Sequence, residues 1–291
     1  MEKYLLIDIG GTTIKVATYS GSLNDVREYP TEANKGANNL IEKIKDIIAK
    51  ENDLKAIGIS TAGQVNSKEG YIIYANENMP GYTGTRWKEL LENEFGIPVF
   101  VENDVNTAAL GEGNYGSAKD ANDFICLTYG TGIGGAIVLN GEVYHGVSGS
   151  AGEFGSLLIH SNDHISGEPY SGGYEKYAST TALVKKALEE DPTLINGRTI
   201  FSRINEEKVQ KIITEWAKEI SFGLVSLIHI FNPELVVLGG GIMEQEFLFN
   251  KVVELTRKEI MTSYQNVKIR KASLGNKAGL YGALTLVQKD A

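Results

Sequence analysis

The sequence has little cysteine, no long apolar run and no excess of basic residues. Its 291 residues include one cysteine, which excludes an intramolecular disulfide framework and a cysteine-rich zinc site. That residue, Cys126, lies in the apolar stretch FICLTY and is expected in the core. No apolar run approaches the roughly 18 residues of a membrane span, and a strand pattern starts too soon after Met1 for a signal peptide. A formal net charge of −9 argues against nucleic acid as the main partner. We therefore predict a soluble, cytoplasmic protein that binds neither membrane nor nucleic acid.

One pattern occurs twice in the chain. Residues 5–21 (LLIDIGGTTIKVATYSG) and 125–141 (ICLTYGTGIGGAIVLNG) each predict a strand, a Gly/Thr turn and a second strand. The turns contain Gly10, Gly11, Thr12 and Thr13 in the first copy, and Gly130, Thr131 and Gly132 in the second. Glycine lets backbone N–H groups approach an anion and threonine adds a hydroxyl donor, so both turns suit phosphate oxygens. The repeat predicts a duplicated domain whose two phosphate loops hold a nucleotide across a cleft.

Strand and helix patterns alternate along the chain, which predicts α/β architecture. A first lobe is predicted over residues 1–117, with strands at 4–9, 13–19, 26–29, 56–60 and 98–101 and helices at 36–50, 87–95 and 106–112. A second lobe is predicted over 118–275, with strands within 124–139 and at 235–238 and 267–272, and helices at 179–190, 206–230 and 245–261. The segment 276–291 predicts a helix that packs back on the first lobe, and 71–85 and 160–174 predict loops.

Two charged side chains flank the first turn. Asp8 stands two residues before Gly10, where a carboxylate either holds Mg²⁺ beside phosphates or caps the turn. Lys15 lies inside the second predicted strand, where it either faces solvent or contacts a phosphate.

The strongest local signal is the run Glu102-Asn103-Asp104-Val105-Asn106. It follows a buried strand, so it lies at a carboxyl end, where open α/β sheets bind their ligands. Asp104 there can accept a hydroxyl proton while Asn103 and Asn106 orient the substrate. The alternative is helix capping, because Asp and Asn are favoured N-cap residues.

Other candidates are weaker. Glu153, between small residues, either hydrogen-bonds a polyol or lies in a surface turn, and Glu175 precedes a helix. The run 239–241, three glycines after an apolar strand, either lies against a planar base or forms a tight turn. The four histidines show no metal-ligand spacing.

Together these motifs resemble the ROK family (repressor, open reading frame, kinase) of the actin-like ATPase superfamily, over almost the whole chain. Residues 8–12 and 130–135 match its two phosphate motifs, 239–241 its adenosine motif and 102–106 the segment with the catalytic aspartate. Residues 152–155, the loop 78–81 and Glu175 match sugar-binding segments.

The resemblance implies a two-lobed, duplicated ribonuclease H-like α/β fold with the active site in the cleft between the lobes. It implies a homodimeric, ATP- and Mg²⁺-dependent kinase that acts on the 6-hydroxyl of a hexose, with Asp104 as the catalytic residue and Asp8 as the residue that holds Mg²⁺. The implied nucleotide-binding residues are Asp8, Gly10, Gly11, Thr12, Thr13, Lys15, Thr131, Gly132, Gly239, Gly240 and Gly241. The implied substrate-binding residues are Gly63, Asn78, Asn103, Asp104, Glu153, Ser156 and Glu175.

The chain departs from the family pattern at its zinc site. The stretch 166–174 has no cysteine and Ser156 replaces the usual histidine, so we predict no structural zinc. The same change leaves glucose, N-acetylmannosamine and β-glucosides open as substrates. No DNA-binding domain precedes the kinase motifs, so no DNA-binding role is expected. The rival interpretations are a non-catalytic sugar sensor and an actin-like ATPase of structural or chaperone type.

Overall fold

The computed structural model describes residues 2–168 and 170–290. The predicted loop 160–174, the helix 276–291 and the first lobe 1–117 thus each include one residue outside the described part: Pro169, Ala291 and Met1. The chain forms two units. The first comprises Met1–Lys119, Val143–Ala151 and Asn276–Ala291, and the second Asp120–Glu142 and Gly152–Gly275. The predicted lobe boundaries stay predictions.

The strands are β1 (Lys3–Ile9), β2 (Thr13–Tyr19), β3 (Leu23–Pro30), β4 (Leu54–Thr61), β5 (Gln64–Asn66), β6 (Tyr71–Tyr74), β7 (Val99–Asn103), β8 (Phe124–Tyr129), β9 (Ile133–Leu139), β10 (Glu142–Val143), β11 (Leu235–Gly239) and β12 (Lys268–Lys271). The α-helices are α1 (Ala37–Ile48), α2 (Trp87–Phe95), α3 (Asp104–Tyr115), α4 (Tyr174–Ala178), α5 (Thr180–Glu190), α6 (Gly197–Ser202), α7 (Glu207–Phe231), α8 (Glu246–Glu259) and α9 (Ala278–Asp290).

Each unit is built on a five-stranded sheet with the same plan. The first sheet has the order β3-β2-β1-β4-β7 and the second β10-β9-β8-β11-β12. In the first, β1 and β2 pair antiparallel while β1, β4 and β7 run parallel. In the second, β8 and β9 pair antiparallel while β8, β11 and β12 run parallel. The duplication predicted from the repeated strand–turn–strand pattern is therefore confirmed at the level of sheet topology.

Alternation along β1 assigns its side chains to two cores. Leu5, Ile7 and Ile9 pack in one cluster with Leu40 and Ile44 of α1. Because successive strand side chains point to opposite faces, Tyr4 and Leu6 lie in a second cluster, with Leu280, Ala283, Leu284 and Val287 of α9. Asp8 shares the parity of Tyr4 and Leu6. The first sheet therefore presents Asp8 on the face covered by α9.

In the second unit, polar atoms of buried aromatic side chains fix the short helix α4. The Tyr129 and Tyr174 hydroxyls lie 2.7 Å apart, and the Tyr174 hydroxyl donates to the Ile220 carbonyl of α7 at 2.6 Å. Trp216 of α7 donates from Nε1 to the Ser179 carbonyl at 3.1 Å. These contacts hold both ends of α4, and Glu175 follows Tyr174 in that helix.

Some local predictions were wrong. The stretch 71–85 is not all loop, because its first four residues form β6, which pairs with β5. Helix α3 begins at Asp104 rather than at Asn106, because the Asn103 side chain caps it. Helix α6 lies in a segment to which no element was assigned. In the described part of the chain, no helix is both long and apolar enough to span a bilayer.

Candidate active site

The first Gly/Thr turn connects β1 to β2 and is held by a threonine from outside the hairpin. Gly10 donates its N–H to the Thr13 carbonyl at 3.0 Å. Thr31 donates from Oγ1 to the Gly10 carbonyl at 2.7 Å and from its N–H to the Thr12 carbonyl at 2.9 Å. The shape of this turn is thus determined within the first unit.

Asp8 lies at the base of this turn with two polar partners. Strand register places it opposite Lys15, whose Nζ lies 3.7 Å from Asp8 Oδ2. The Ser60 hydroxyl of β4 donates to Asp8 Oδ1 at 2.8 Å. Burial raises the pKa of Asp8 above its ordinary value, although Ser60 and Lys15 both act to lower it. Lys15 is therefore a partner of Asp8, and its predicted contact with phosphate stays a prediction.

Sequence reasoning missed the contact of Asp8 with helix α9. A Cβ added at Gly279 would stand 2.5 Å from Asp8 Cγ, which is too close for any side chain. Glycine at this position lets the helix backbone approach the carboxylate closely. The two residues are 271 positions apart in sequence, so no local pattern links them.

The junction between β7 and α3 has no connecting loop. Asn103 ends the strand and its Oδ1 accepts from the N–H groups of Val105 (2.9 Å) and Asn106 (3.1 Å). Its Nδ2 donates to the Gly63 carbonyl at 2.9 Å and to Asp104 Oδ1 at 3.0 Å. Asn103 is therefore the N-cap residue of α3, as the alternative interpretation of this run predicted. Its proposed contact with a sugar stays a prediction.

Asp104 begins α3 and is the most perturbed carboxylic acid of the candidate site. Its Oδ1 also accepts the Val105 N–H at 2.9 Å. Burial, followed by the charge of Asp8, raises the pKa of Asp104 to about 6, and hydrogen bonds from Val105 and Asn103 only partly oppose this. Two carboxylates close enough for one to disfavour ionisation of the other are typical of functional sites.

A second interaction that the sequence did not reveal joins Glu102 to His145. Their Oε2 and Nε2 atoms are 2.6 Å apart, and Glu102 is 2% exposed. The Ser67 hydroxyl lies 3.2 Å from the same imidazole nitrogen. In the sequence, His145 shows only that it lacks metal-ligand spacing to the other histidines.

The loop after β6 carries Asn78, which is exposed. Tyr82, 2% exposed, anchors this loop: its hydroxyl lies 2.5 Å from Thr61 Oγ1 and accepts from Trp87 Nε1 at 2.9 Å. Burial raises the pKa of Tyr82 to about 12, and the charge of Asp104 acts in the same direction. The loop is thereby fixed near the ends of β4 and β7. The proposed sugar contact of Asn78 stays a prediction.

The second Gly/Thr turn is also held by threonines from outside the hairpin. Gly130 donates its N–H to the Gly132 carbonyl at 2.9 Å, and Thr180 donates its N–H to the Gly130 carbonyl at 2.9 Å. The Thr181 hydroxyl donates to the Thr131 carbonyl at 2.7 Å. The beginning of α5 thus fixes this turn within the second unit.

Glu175 lies directly against the second turn. Its Oε2 accepts the Ile133 N–H at 2.8 Å, and a Cβ added at Gly132 would collide with its carboxylate. A Cβ at Gly155 would approach the same oxygen to 3.2 Å. Glu153 and Ser156, both exposed, flank this glycine on a 3₁₀ turn. The structure thus brings three predicted substrate residues of the second unit into one neighbourhood.

The three consecutive glycines form a strand-to-helix turn. Gly239 ends β11, Gly240 has φ 94° and Gly241 begins a 3₁₀ helix. A Cβ at Gly240 would also collide with the Tyr129 backbone, so only glycine fits there. The alternative of a tight turn therefore applies, and binding of a planar base by the same residues stays a prediction.

Asp8 is the residue of the candidate site that could hold Mg²⁺, and the absence of structural zinc stays a prediction. In the part of the chain that the structure describes, no three His, Cys, Asp or Glu side chains lie together as a metal site. The segment expected at the zinc position is organised instead by Ser171, whose Oγ accepts from the Ile165 N–H at 2.8 Å and donates to the Glu168 carbonyl at 2.8 Å. Mg²⁺ needs only one or two protein carboxylates besides phosphate oxygens and water, and Asp8 fits that requirement.

Several solved structures share the fold of this chain over nearly its whole length. A ROK hexokinase from Thermus thermophilus is 31% identical, with a TM-score of 0.85 over 99% of this chain and 98% of its own. A ROK family glucokinase from Streptomyces griseus, solved with glucose and AMPPNP, is 28% identical, with a TM-score of 0.83 over 99% of both chains. The protein therefore has the two-lobed, actin-like ATPase fold, as predicted.

The chain belongs to the ROK family. The family model matches residues 4–290. A β-glucoside kinase from Listeria monocytogenes is 32% identical over 97% of this chain and 96% of its own length. The fold is also shared by a ROK family transcriptional regulator, a homolog of the E. coli MLC protein, at 22% identity and a TM-score of 0.84 over 98% of this chain and 78% of that one. The predicted family is confirmed, and at family level the chain is a sugar-kinase homologue.

Proposed function

We propose that the protein is an ATP-dependent kinase that transfers the γ-phosphoryl group of ATP to the 6-hydroxyl of a hexose or hexose derivative. The observation that carries the proposal is the environment of Asp104. This residue follows a parallel strand directly, and its pKa is raised to about 6. A general base is most effective when its pKa lies near the operating pH. The names of the hexokinase, glucokinase and β-glucoside kinase relatives support the same reaction class.

In this reaction Asp104 accepts the proton of the sugar hydroxyl. The hydroxyl oxygen forms a bond to the γ-phosphorus, the bond from that phosphorus to the ADP oxygen breaks, and ADP leaves with the bonding electrons. Above pH 6 the carboxylate is mostly ionised, and the Asn103 amide and the Val105 N–H orient it. Such general-base help contributes roughly 10²- to 10⁴-fold, and positioning supplies much of the rest.

The two turns supply the proposed phosphate contacts. Their carbonyl groups are engaged by Thr31 in the first unit and by Thr180 and Thr181 in the second. This arrangement suits donation from turn N–H groups and threonine hydroxyls to phosphate oxygens. We assign Mg²⁺ to Asp8, and the ion would neutralise negative charge on those oxygens. Lys15, 3.7 Å from Asp8, adds positive charge at the same turn.

For the substrate we propose glucose or N-acetylmannosamine, with a β-glucoside as the alternative. Glu153 and Glu175 would accept hydrogen bonds from sugar hydroxyls, and an analogue that leaves such groups unpaired is rejected. Ser156 is smaller than the histidine that it replaces, which leaves room for a group on O1 and favours the alternative. A homodimer is a further proposal from the resemblance to the ROK family, and light scattering tests it. A cytoplasmic location, predicted from the sequence, is also a proposal.

The test is ADP release with ATP and Mg²⁺ against glucose, mannose, N-acetylmannosamine, N-acetylglucosamine, fructose, cellobiose and no sugar. We expect turnover on one class of sugar and a loss of roughly 10²- to 10⁴-fold in Asp104→Asn. Asp46→Asn is the matched control, because Asp46 is exposed on α1. Equal turnover with and without sugar would support the structural ATPase instead.

The second candidate function is a non-catalytic sugar sensor, favoured by the shared fold of the ROK regulator. It predicts that a sugar raises the melting temperature while ADP release stays at background. Sugar-dependent ADP release that Asp104→Asn abolishes contradicts this candidate.

A further inference from the structure

The feature that the proposed mechanism leaves unused is the buried pair of Glu102 and His145. Glu102 is 2% exposed, and a buried carboxylate is costly unless its oxygens accept hydrogen bonds. Its Oε1 accepts from the Asn103 N–H at 2.7 Å and from Asn106 Nδ2 at 3.0 Å. Its Oε2 lies 2.6 Å from His145 Nε2.

The chemistry of the pair determines which atom carries the hydrogen. Glu102 already accepts two N–H groups through Oε1, so we infer that its Oε2 is also an acceptor and that His145 Nε2 is the donor. The Ser67 hydroxyl, 3.2 Å from the same nitrogen, lies beside this bond. His145 belongs to the segment Val143–Ala151 of the first unit, and that segment is also tied to β5, because Ser150 donates to Gln64 Oε1 at 3.0 Å.

The position of Glu102 gives this bond a consequence for Asp104. Because β7 passes into α3 without a loop, side chains add to the pairing of β7 with β4 in bracing the junction. Asn103 braces it through Gly63 on one side. Glu102 braces it through Asn106, which is 4% exposed. Asp104 lies between these two braces in sequence, so a shift of Glu102 moves the first turn of the helix that carries Asp104.

We propose that His145 is a positioning residue for Asp104: by donating to Glu102 it fixes the strand-to-helix junction and so the carboxylate that accepts the sugar proton. This inference rests on the proposed kinase function. A displacement of about 1 Å at a reacting group costs about 10²-fold in rate.

The kinetic test compares variants of His145 on the sugar that the wild type phosphorylates. We expect His145→Ala to lower kcat about 10- to 100-fold, with the KM for ATP changed less than about twofold. His145→Gln keeps an N–H donor and is expected to recover at least about a third of wild-type kcat. His229→Gln is the matched control, since His229 contacts Met261 and Tyr264 in the second unit, and it should retain wild-type kcat.

The second measurement does not depend on activity. In protein labelled with ¹⁵N-histidine, the His145 Nε2–H should give a downfield proton resonance, assigned by its loss in His145→Gln. We expect Glu102→Gln to move it upfield, because the acceptor loses its charge. We also expect Glu102→Gln and His145→Gln to be less than additive in kcat, since both act on one hydrogen bond.

The outcomes separate this inference from the proposed function. A wild type without sugar-dependent ADP release overturns the proposed function before any variant is compared. An active wild type whose His145→Ala variant retains wild-type kcat overturns the positioning role alone. The positioning role is also overturned if Glu102→Gln leaves the His145 resonance in place. It is likewise overturned if His145→Gln is as slow as His145→Ala while the two variants have equal melting temperatures.

Discussion

The two sheets share one plan but carry different charges at equivalent places. Asp8 and Thr128 each stand two residues before the first glycine of their turn, Gly10 and Gly130. Across the hairpin, Asp8 faces Lys15 whereas Thr128 faces Gly134. The first hairpin therefore holds an ion pair between Asp8 and Lys15. The second holds the uncharged pair Thr128 and Gly134, in which glycine contributes no side chain.

The turns differ in length as well. Gly10 bonds to the carbonyl three residues ahead and Gly130 to the carbonyl two residues ahead, so the second turn is one residue tighter. The second unit places its carboxylate from another element, since Glu175 of α4 accepts the Ile133 N–H. The two units therefore share a backbone plan but differ in where their acidic side chains come from.

The largest expected difference comes from substituting the two equivalent residues. Asp8→Asn should lower kcat by roughly 10²-fold or more, because it removes the carboxylate assigned to Mg²⁺. Thr128→Val should change kcat less than about fivefold, because it removes only a neutral hydroxyl. Steady-state kinetics on the identified sugar measure both, and equal losses in the two variants would refute the functional asymmetry.

The second prediction concerns pH. Because Asp104 must be ionised to accept a proton and its pKa is raised to about 6, kcat/KM should fall about tenfold per pH unit below that value. The charge of Asp8 contributes to the raised pKa, so Asp8→Asn should move the Asp104 titration to lower pH. Carboxyl ¹³C titration by NMR measures this directly, and an unmoved midpoint contradicts the coupling.

The third prediction tests the close approach of α9 to Asp8. Glycine to alanine usually stabilises a helix, but Gly279→Ala should destabilise the protein by about 1–3 kcal/mol, because the new methyl group meets the Asp8 carboxylate. Gly197→Ala in the second unit is the control, since its added Cβ meets nothing closer than 3.7 Å. Urea unfolding measures the free energy of unfolding of both variants. A Gly279→Ala variant more stable than the wild type would contradict the close packing of α9 against Asp8.

The fourth prediction is that the Asp104 carboxylate lowers stability at neutral pH. A pKa raised from 3.8 to about 6 on folding means that the folded state favours the protonated form. Relative to an ionised Asp104, the protonated form stabilises the fold. That stabilisation is fully present below pH 3.8 and is lost as the pH rises through 6. Allowing for partial exposure of the residue, Asp104→Asn should raise the free energy of unfolding at pH 7 by about 1–2 kcal/mol. The gain should shrink toward pH 4, and a pH-independent difference would count against the assigned pKa.

The smallest expected effect concerns zinc. Because Ser171 organises the segment expected at the zinc position, a strong chelator should leave the melting temperature unchanged. Elemental analysis should find well below one zinc per chain. A chelator-dependent loss of stability would show a zinc site made from other residues.

Much of the fold was predictable because it rests on local patterns. The alternation in β1 and the helical spacing of α1 each follow from residues a few positions apart. The two Gly/Thr turns predicted the duplicated sheet. Strand β6 was missed because four residues among Asn, Gly and Pro carry too little alternation, and its pairing with β5 decides its structure. In the candidate site, the sequence indicated Asp8 and Asp104 but not how their charges interact.

The sequence alone determined the family, the order of the motifs and the faces of each strand, since these depend on residue type and short-range period. Which side chains meet, in contrast, depends on the folding of distant segments onto one another. Glu102 and His145 are 43 residues apart, and Asp8 meets Gly279 from the opposite end of the chain. The raised pKa of Asp104 is likewise a tertiary property, because it comes from burial and from Asp8, 96 positions earlier. Burial and Coulomb interaction depend on distance in space, which local sequence does not encode.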